Sequence, residues 1–171
     1  VTNCKFVYNS GADGSGDYGA LDAYNGGSGC IITGNQFYNN VRPLSISMEF
    51  DLDNSNHFHN PADPTQMNEY NGIFVYCGDQ KGTISWLETE VPYVMDGNNY
   101  IDTETTLSLA NSVCLKFRAD AYMQVYSSTN LVNYDGGGVI FTSYKDDTVK
   151  GDTNGDGDIT APGNGDWEGI Y

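Results

Sequence analysis

Two stretches of this chain can be laid over one another, and that repeat constrains the fold more than any other feature. Val1-Thr2-Asn3-Cys4-Lys5-Phe6-Val7-Tyr8-Asn9 matches Ile32-Thr33-Gly34-Asn35-Gln36-Phe37-Tyr38-Asn39-Asn40. The shared pattern is an apolar residue, Thr, two small or polar residues, a polar residue, Phe, two further residues and Asn. A second echo pairs Gly19-Ala20-Leu21-Asp22-Ala23 with Arg42-Pro43-Leu44-Ser45-Ile46-Ser47. The offsets are roughly two to three dozen residues, the length of one solenoid coil. In such a coil short strands are joined by bends, and alternate residues point inward onto their equivalents in the next coil. Phe then stacks on Phe. Asn at a bend takes the left-handed conformation and bonds its neighbours in a ladder.

Composition agrees with many strands and many turns. Glycine (21), tyrosine (13) and recurring asparagine dominate, while Lys and Arg together number 7. Long helices need more Ala, Leu, Glu and Lys than these segments offer. Short strand signals run through Gly72-Ile73-Phe74-Val75-Tyr76, Thr83-Ile84-Ser85-Trp86-Leu87, Thr106-Leu107-Ser108-Leu109, Val113-Cys114-Leu115-Lys116-Phe117 and Gly138-Val139-Ile140-Phe141-Thr142. Met48 to Asn71 is polar and reads as a long excursion. The predicted fold is all-β, a parallel β-helix. Coils occupy 1–77, with the excursion at about 48–71, and further coils occupy 78–171, a division that leaves one continuous domain open. Strand-like residues at Val1 and Ile170 suggest a fragment of a longer protein.

The net charge is −16. Such a chain repels nucleic acid and anionic membranes and attracts cations. No run is long and apolar enough for a spanning helix, so membrane insertion is not expected. Cys4, Cys30, Cys77 and Cys114 include no CxxC pair, which argues against a zinc or redox motif. An even count in a secreted chain permits disulfides, but Cys30 and Cys114 sit in apolar runs where buried thiols fit equally well.

The most specific motif is Asp152-Thr153-Asn154-Gly155-Asp156-Gly157-Asp158-Ile159-Thr160. It follows the first part of an EF-hand calcium loop. Asp152, Asn154 and Asp156 offer side-chain oxygens at alternate positions, Gly157 permits the sharp turn, Asp158 offers its carbonyl, and Ile159 is expected to anchor the loop in the core. Calcium takes about six to eight oxygens. Position twelve is Gly163 rather than an acid, so Asp166, Glu168 or the Asp146-Asp147 pair must complete the shell. The expected ligands are Asp152, Asn154, Asp156, Asp158, Asp166 and Asp147. His57 and His59 form an HxH pair that would face one side of an extended segment, as two metal ligands do. With no third histidine, they are expected to be polar loop residues.

Phe141-Thr142-Ser143-Tyr144-Lys145-Asp146-Asp147, Gly151 to Gly157, Pro162 and Gly165-Asp166-Trp167 together resemble a recurring segment of bacterial right-handed parallel β-helix repeat proteins. Arg42 to Ile46 and Asn54 to Pro61 resemble the same family, although Glu168 stands where its pattern has Gly. The resemblance makes the predicted β-helix right-handed and implies an extracellular or cell-surface location. It specifies an architecture and no activity. The leading expectation is a calcium-stabilised stalk, adhesin or matrix segment with a glycan, cell-surface or matrix partner. A carbohydrate-active protein is the second reading. A lyase on this fold needs a base beside calcium, for which Arg42, Lys116 and Arg118 are the candidates, and a glycan-binding module would use exposed rings drawn from Tyr18, Tyr24, Tyr70, Tyr76, Trp86, Tyr93 and Tyr100. A self-associating filament subunit is the third.

Overall fold

The computed structural model describes residues 1–11, 18–26, 29–76, 78–80, 82–133 and 137–171. The chain coils through β1 (Lys5–Val7), β2 (Leu21–Ala23) and β3 (Ile31–Ile32), then β4 (Gln36–Tyr38), β5 (Leu44–Ile46) and β6 (Asp51–Leu52). An antiparallel hairpin follows, β7 (His59–Asn60) and β8 (Asp63–Met67). Coiling resumes with β9 (Ile73–Val75), β10 (Gly78–Gln80) and β11 (Thr83–Trp86), then β12 (Tyr93–Met95), β13 (Asn98–Ile101) and β14 (Thr106–Leu109). The final strands are β15 (Cys114–Phe117), β16 (Tyr122–Val125), β17 (Asn130–Val132), β18 (Ile140–Ser143) and, after a long connection, β19 (Gly169–Ile170). Except in the hairpin, every pairing between these strands is parallel. The architecture is a β-solenoid of about five turns, with no helix among the described residues.

Two long faces run the length of the solenoid, in the orders β2-β5-β9-β12-β15-β18 and β3-β6-β11-β14-β17. The third face changes corner part-way. In the first coils it is β1-β4, continued by a bridge from Gln36 to His57, and it follows the β3–β6 face in the chain. From Gly78 onward it is β10-β13-β16-β19, and it precedes the β11–β14 face. Pairing of β6 with β11 and of β9 with β12 carries both long faces across residues 77–82.

The sequence repeat gives the register. Phe6 pairs with Phe37, and Leu21 with Leu44. Phe6, Phe37 and Phe58 stack with ring centroids 4.9 and 5.3 Å apart. Asparagine ladders flank the stack. Asn35 Nδ2 donates to Asn56 Oδ1 (3.0 Å), and Asn40 Nδ2 donates to Asn68 Oδ1 (2.9 Å) and Phe6 O (3.0 Å). Asn3 and Gly34, at equivalent bends, both take positive φ (54° and 69°), a backbone state that Asn and Gly adopt at low cost. Asn40 is buried and also accepts the Asn9 N–H. Asn40→Ala strands these partners and is expected to cost about 2 kcal/mol in urea melts.

Met48–Asn71 is not one excursion. Met48, Leu52, Asn56, Phe58 and Asn68 are all buried, and only the β7–β8 hairpin leaves the coil. Three apolar residues spaced among many polar ones hide the coil from a pattern search, because the two asparagines are ladder residues. Cys4 and Cys114 carry free thiols, with burial pushing Cys114 up to about 11. Cys77 lies outside the described residues.

Glu88, in the turn from β11 to β12, is 1% exposed, and its Oε2 has no hydrogen-bond partner among the described residues. Burial, with Glu90 and Asp53 nearby, raises its carboxyl to about 7, against the pull of the Thr89 and Glu90 N–H groups. For an acid raised on folding, the stabilising contribution is complete below the ordinary value and is lost as pH rises through the folded one. The wild type is therefore expected to lose up to about 3 kcal/mol relative to Glu88→Gln between pH 5 and 8. Paired denaturant melts across that range measure the difference.

Candidate metal centre

Residues 144–168 leave β18 and run back over the outside of the β9–β12–β15 face. The outward side chains there, Phe74, Val94 and Lys116, are buried although they point away from the solenoid core. Lys116 Nζ donates to Gly151 O (2.7 Å) and Thr153 Oγ1 (2.9 Å). Tyr144 Oη donates to Thr153 O (3.1 Å), and Lys150 Nζ donates to Thr89 O. A Cβ at Gly72 would lie 3.0 Å from Val94 Cγ2 and 3.1 Å from Thr153 Cγ2, and one at Gly155 would meet the Tyr70 ring at 2.7 Å. The connection returns to the core at Trp167, which stacks on Phe117 (4.3 Å) before β19 joins β16. It is a strap laid across successive coils.

The acidic loop lies within this strap. Asp152 accepts the N–H groups of Gly155 (2.7 Å) and Gly157 (2.8 Å). Gly155 and Gly157 both have positive φ, at 70° and 66°. These bonds wrap the loop around the Asp152 carboxylate. Asp147, Asp152 and Asp156 each place an oxygen within 4.8 Å of the other two. Two oxygens at 2.3–2.6 Å from one calcium are at most about 5 Å apart, so this spacing suits a shared ion. Asp147 Oδ1 is buried and has no hydrogen-bond partner among the described residues. Burial and the charges of Asp152, Asp156 and Asp158 raise the Asp147 carboxyl, and Lys116 opposes them. A buried, unpaired carboxylate oxygen facing two more carboxylates is destabilising unless a proton or cation joins it.

The other expected ligands are placed differently. Asn154 donates its amide to Asp156 Oδ2 (2.9 Å) and braces it. Asp158, expected through its backbone carbonyl, is exposed, and its side chain lies outside the group of three. Asp166 does not complete the shell. It binds Lys145 Nζ (2.7 Å), Ser143 Oγ (2.8 Å) and the Gly163 N–H (2.8 Å), and these hold its carboxyl down at about 2. It pins the far end of the strap. Asp146 accepts from Thr142 and Thr148, bonds that outweigh burial and keep its carboxyl low. Ile159 anchors nothing, being 85% exposed. The strap is held through Lys116, Thr153 and Tyr144 instead, so the loop needs no apolar plug of its own.

Lys116 is fully buried, and burial lowers its ammonium. Arg118 pairs with Asp96 (2.8 Å), and the Arg42 guanidinium lies 3.9 Å over the Phe74 ring. Among the aromatic candidates, Trp86 and Tyr93 stack in the core (4.7 Å). Tyr100 instead belongs to an outward group that sequence reasoning missed. Tyr100 and Tyr122 join through their hydroxyls (2.7 Å), and Tyr126 and Tyr171 lie against them at 6.2 and 5.9 Å. Only the register of β13, β16 and β19 brings these four together. Comparison with protein-family models, curated proteins and solved structures gives no match.

Proposed function

We propose that this chain is a calcium-stabilised structural or adhesive segment of an extracellular or cell-surface β-solenoid, and that calcium fastens the strap over the outer face. The observation that carries this reading is Asp147. Its Oδ1 is buried and unpartnered, and its carboxylate shares a space with Asp152 and Asp156. Asp147 completes what position twelve of the loop lacks, because it approaches from the upstream side of the strap. Lys116 neutralises part of the cluster from below. It is covered on both bonded sides and cannot meet a substrate, which favours a structural role over lyase chemistry. The test is hydrogen exchange with and without EGTA. Calcium removal is expected to speed exchange in residues 147–157 and to leave β4 and β5 unchanged. Uniform exchange across the loop in both conditions counts against the reading.

A glycan-binding role is the second reading, and the group Tyr100, Tyr122, Tyr126 and Tyr171 favours it. Tyrosine faces accept the C–H side of a sugar, and their hydroxyls serve its polar edge. Gln124 and Asn98 lie in register with Tyr100 and Tyr122, adding amides to the same surface. The double change Tyr126→Ala and Tyr171→Ala is expected to abolish retardation by neutral polysaccharides in affinity electrophoresis. Retardation that persists in this variant removes the reading.

A further inference from the structure

A second cluster of ligating side chains lies away from the strap loop, where the first short face ends. His57 bridges to Gln36 and closes that face. The next N–H, of Phe58, is taken by the Glu90 carboxylate (Oε1, 2.9 Å). Glu90 sits in the turn between β11 and β12, and Glu88 Oε1 holds its N–H (2.8 Å) and that of Thr89 (2.9 Å). Glu90 is thus fixed at its backbone and at one oxygen. His57 and His59 are two residues apart on extended chain, so their rings project to one side. Their centroids are 5.6 Å apart. His59 Nδ1 lies 2.6 Å from Glu90 Oε1, and His57 Nδ1 lies 3.8 Å from Glu90 Oε2.

We propose that His57, His59 and Glu90 form a second metal site, for a first-row transition ion of the zinc class. Two imidazoles and one carboxylate suit zinc, copper or nickel, whereas calcium takes oxygens alone. A tetrahedral ion with bonds of about 2.0–2.1 Å holds its donors about 3.3 Å apart. His59 Nδ1 approaches Oε1 at 2.6 Å and His57 Nδ1 approaches Oε2 at 3.8 Å, so the two imidazoles flank one carboxylate. A hydrogen bond to Glu90 accounts for His59, but at 3.8 Å His57 is beyond hydrogen-bond reach. As placed, the three donors do not all lie within 4.8 Å of one another, as the three aspartates of the strap do, so binding requires the His57 ring to turn inward. The His57 side chain is 45% exposed, so its ring is free to turn about the Cβ–Cγ bond and close the set. The Phe58 N–H on Glu90 is the kind of outer hydrogen bond that orients a ligating carboxylate. With His59 and Glu90 each 28% exposed, solvent reaches a fourth position. The chain's charge of −16 concentrates cations around all of this.

The site is independent of the calcium reading. The test is calorimetric titration of the full chain, saturated with calcium, with zinc chloride. One zinc ion per chain is expected, with affinity lowered at least tenfold in His57→Ala, His59→Ala and Glu90→Gln. Glu90→Gln keeps an oxygen for the Phe58 N–H, so its unchanged circular dichroism separates ligand loss from unfolding. Asp152→Asn is expected to lose calcium and retain zinc. Absence of zinc binding, or binding that survives the double change His57→Ala and His59→Ala, overturns the proposal.

Discussion

Stripping calcium with EGTA is expected to lower the melting temperature by about 5–10 °C, and the loss is expected to disappear in Asp147→Asn. The size follows from linkage. Calcium at a hundredfold excess over its dissociation constant contributes about 2.7 kcal/mol, and in a chain of this length each kcal/mol moves the midpoint by about 2–4 °C. The variant carries a sharper consequence. Burial and three neighbouring aspartates raise the Asp147 carboxyl, so its ionised form is a liability whenever no cation is present. Asp147→Asn is therefore expected to melt at or above the EGTA-treated wild type, while gaining nothing from added calcium. The sign with pH follows the same rule. An acid raised on folding loses its stabilising contribution as pH rises through the folded value. The metal-free chain is expected to weaken as pH rises through the raised Asp147 value, and the benefit of calcium to grow. A melting curve that ignores EGTA in the wild type contradicts the calcium reading.

Phe37→Ala is expected to cost about 3–5 kcal/mol, the range for removing a fully buried aromatic ring. Phe37 is 0% exposed and sits between Phe6 and Phe58, stacked on both. Its removal opens a cavity in the middle of a column, where neither neighbour can move in without breaking its own strand register. Against a typical total of about 5–15 kcal/mol, such a loss brings the protein near its unfolding threshold. Tyr126→Ala serves as the control, since that ring is 44% exposed and its loss is expected to stay within about 0.5 kcal/mol. Urea denaturation of both variants, followed by tryptophan fluorescence, measures the contrast.

The Phe6–Phe37 half of that column was legible in the sequence because these two coils repeat the same demand on the same residue. Phe over Phe and Asn over Asn are chemically like pairs, and the alignment of Val1–Asn9 with Ile32–Asn40 gives their register without coordinates. The coil through Leu52 and Phe58 was not legible, since its inward residues are too sparse to show a period. The change of corner by the third face was hidden too, because a strand is equally apolar on either side of a long face. In the loop, Asp152 and Asp156 could be read from local spacing. Asp147 and Asp166 were both expected beside them; the structure brings Asp147 to the pair and turns Asp166 toward Lys145. Lys145 lies 21 residues before it, and no local pattern shows that a strap doubles back to pair them. The tyrosine group is invisible for the same reason, because its members are neighbours only through strand register.

Asp147, Asp152 and Asp156 are proposed to hold one calcium ion that fastens the strap. Equilibrium dialysis with radioactive calcium tests it most directly, on the wild type and on Asp147→Asn, Asp152→Asn and Asp156→Asn. One ion per wild-type chain, with binding weakened at least tenfold in each variant, is the predicted result. No bound calcium in the wild type, or full binding in all three variants, contradicts it.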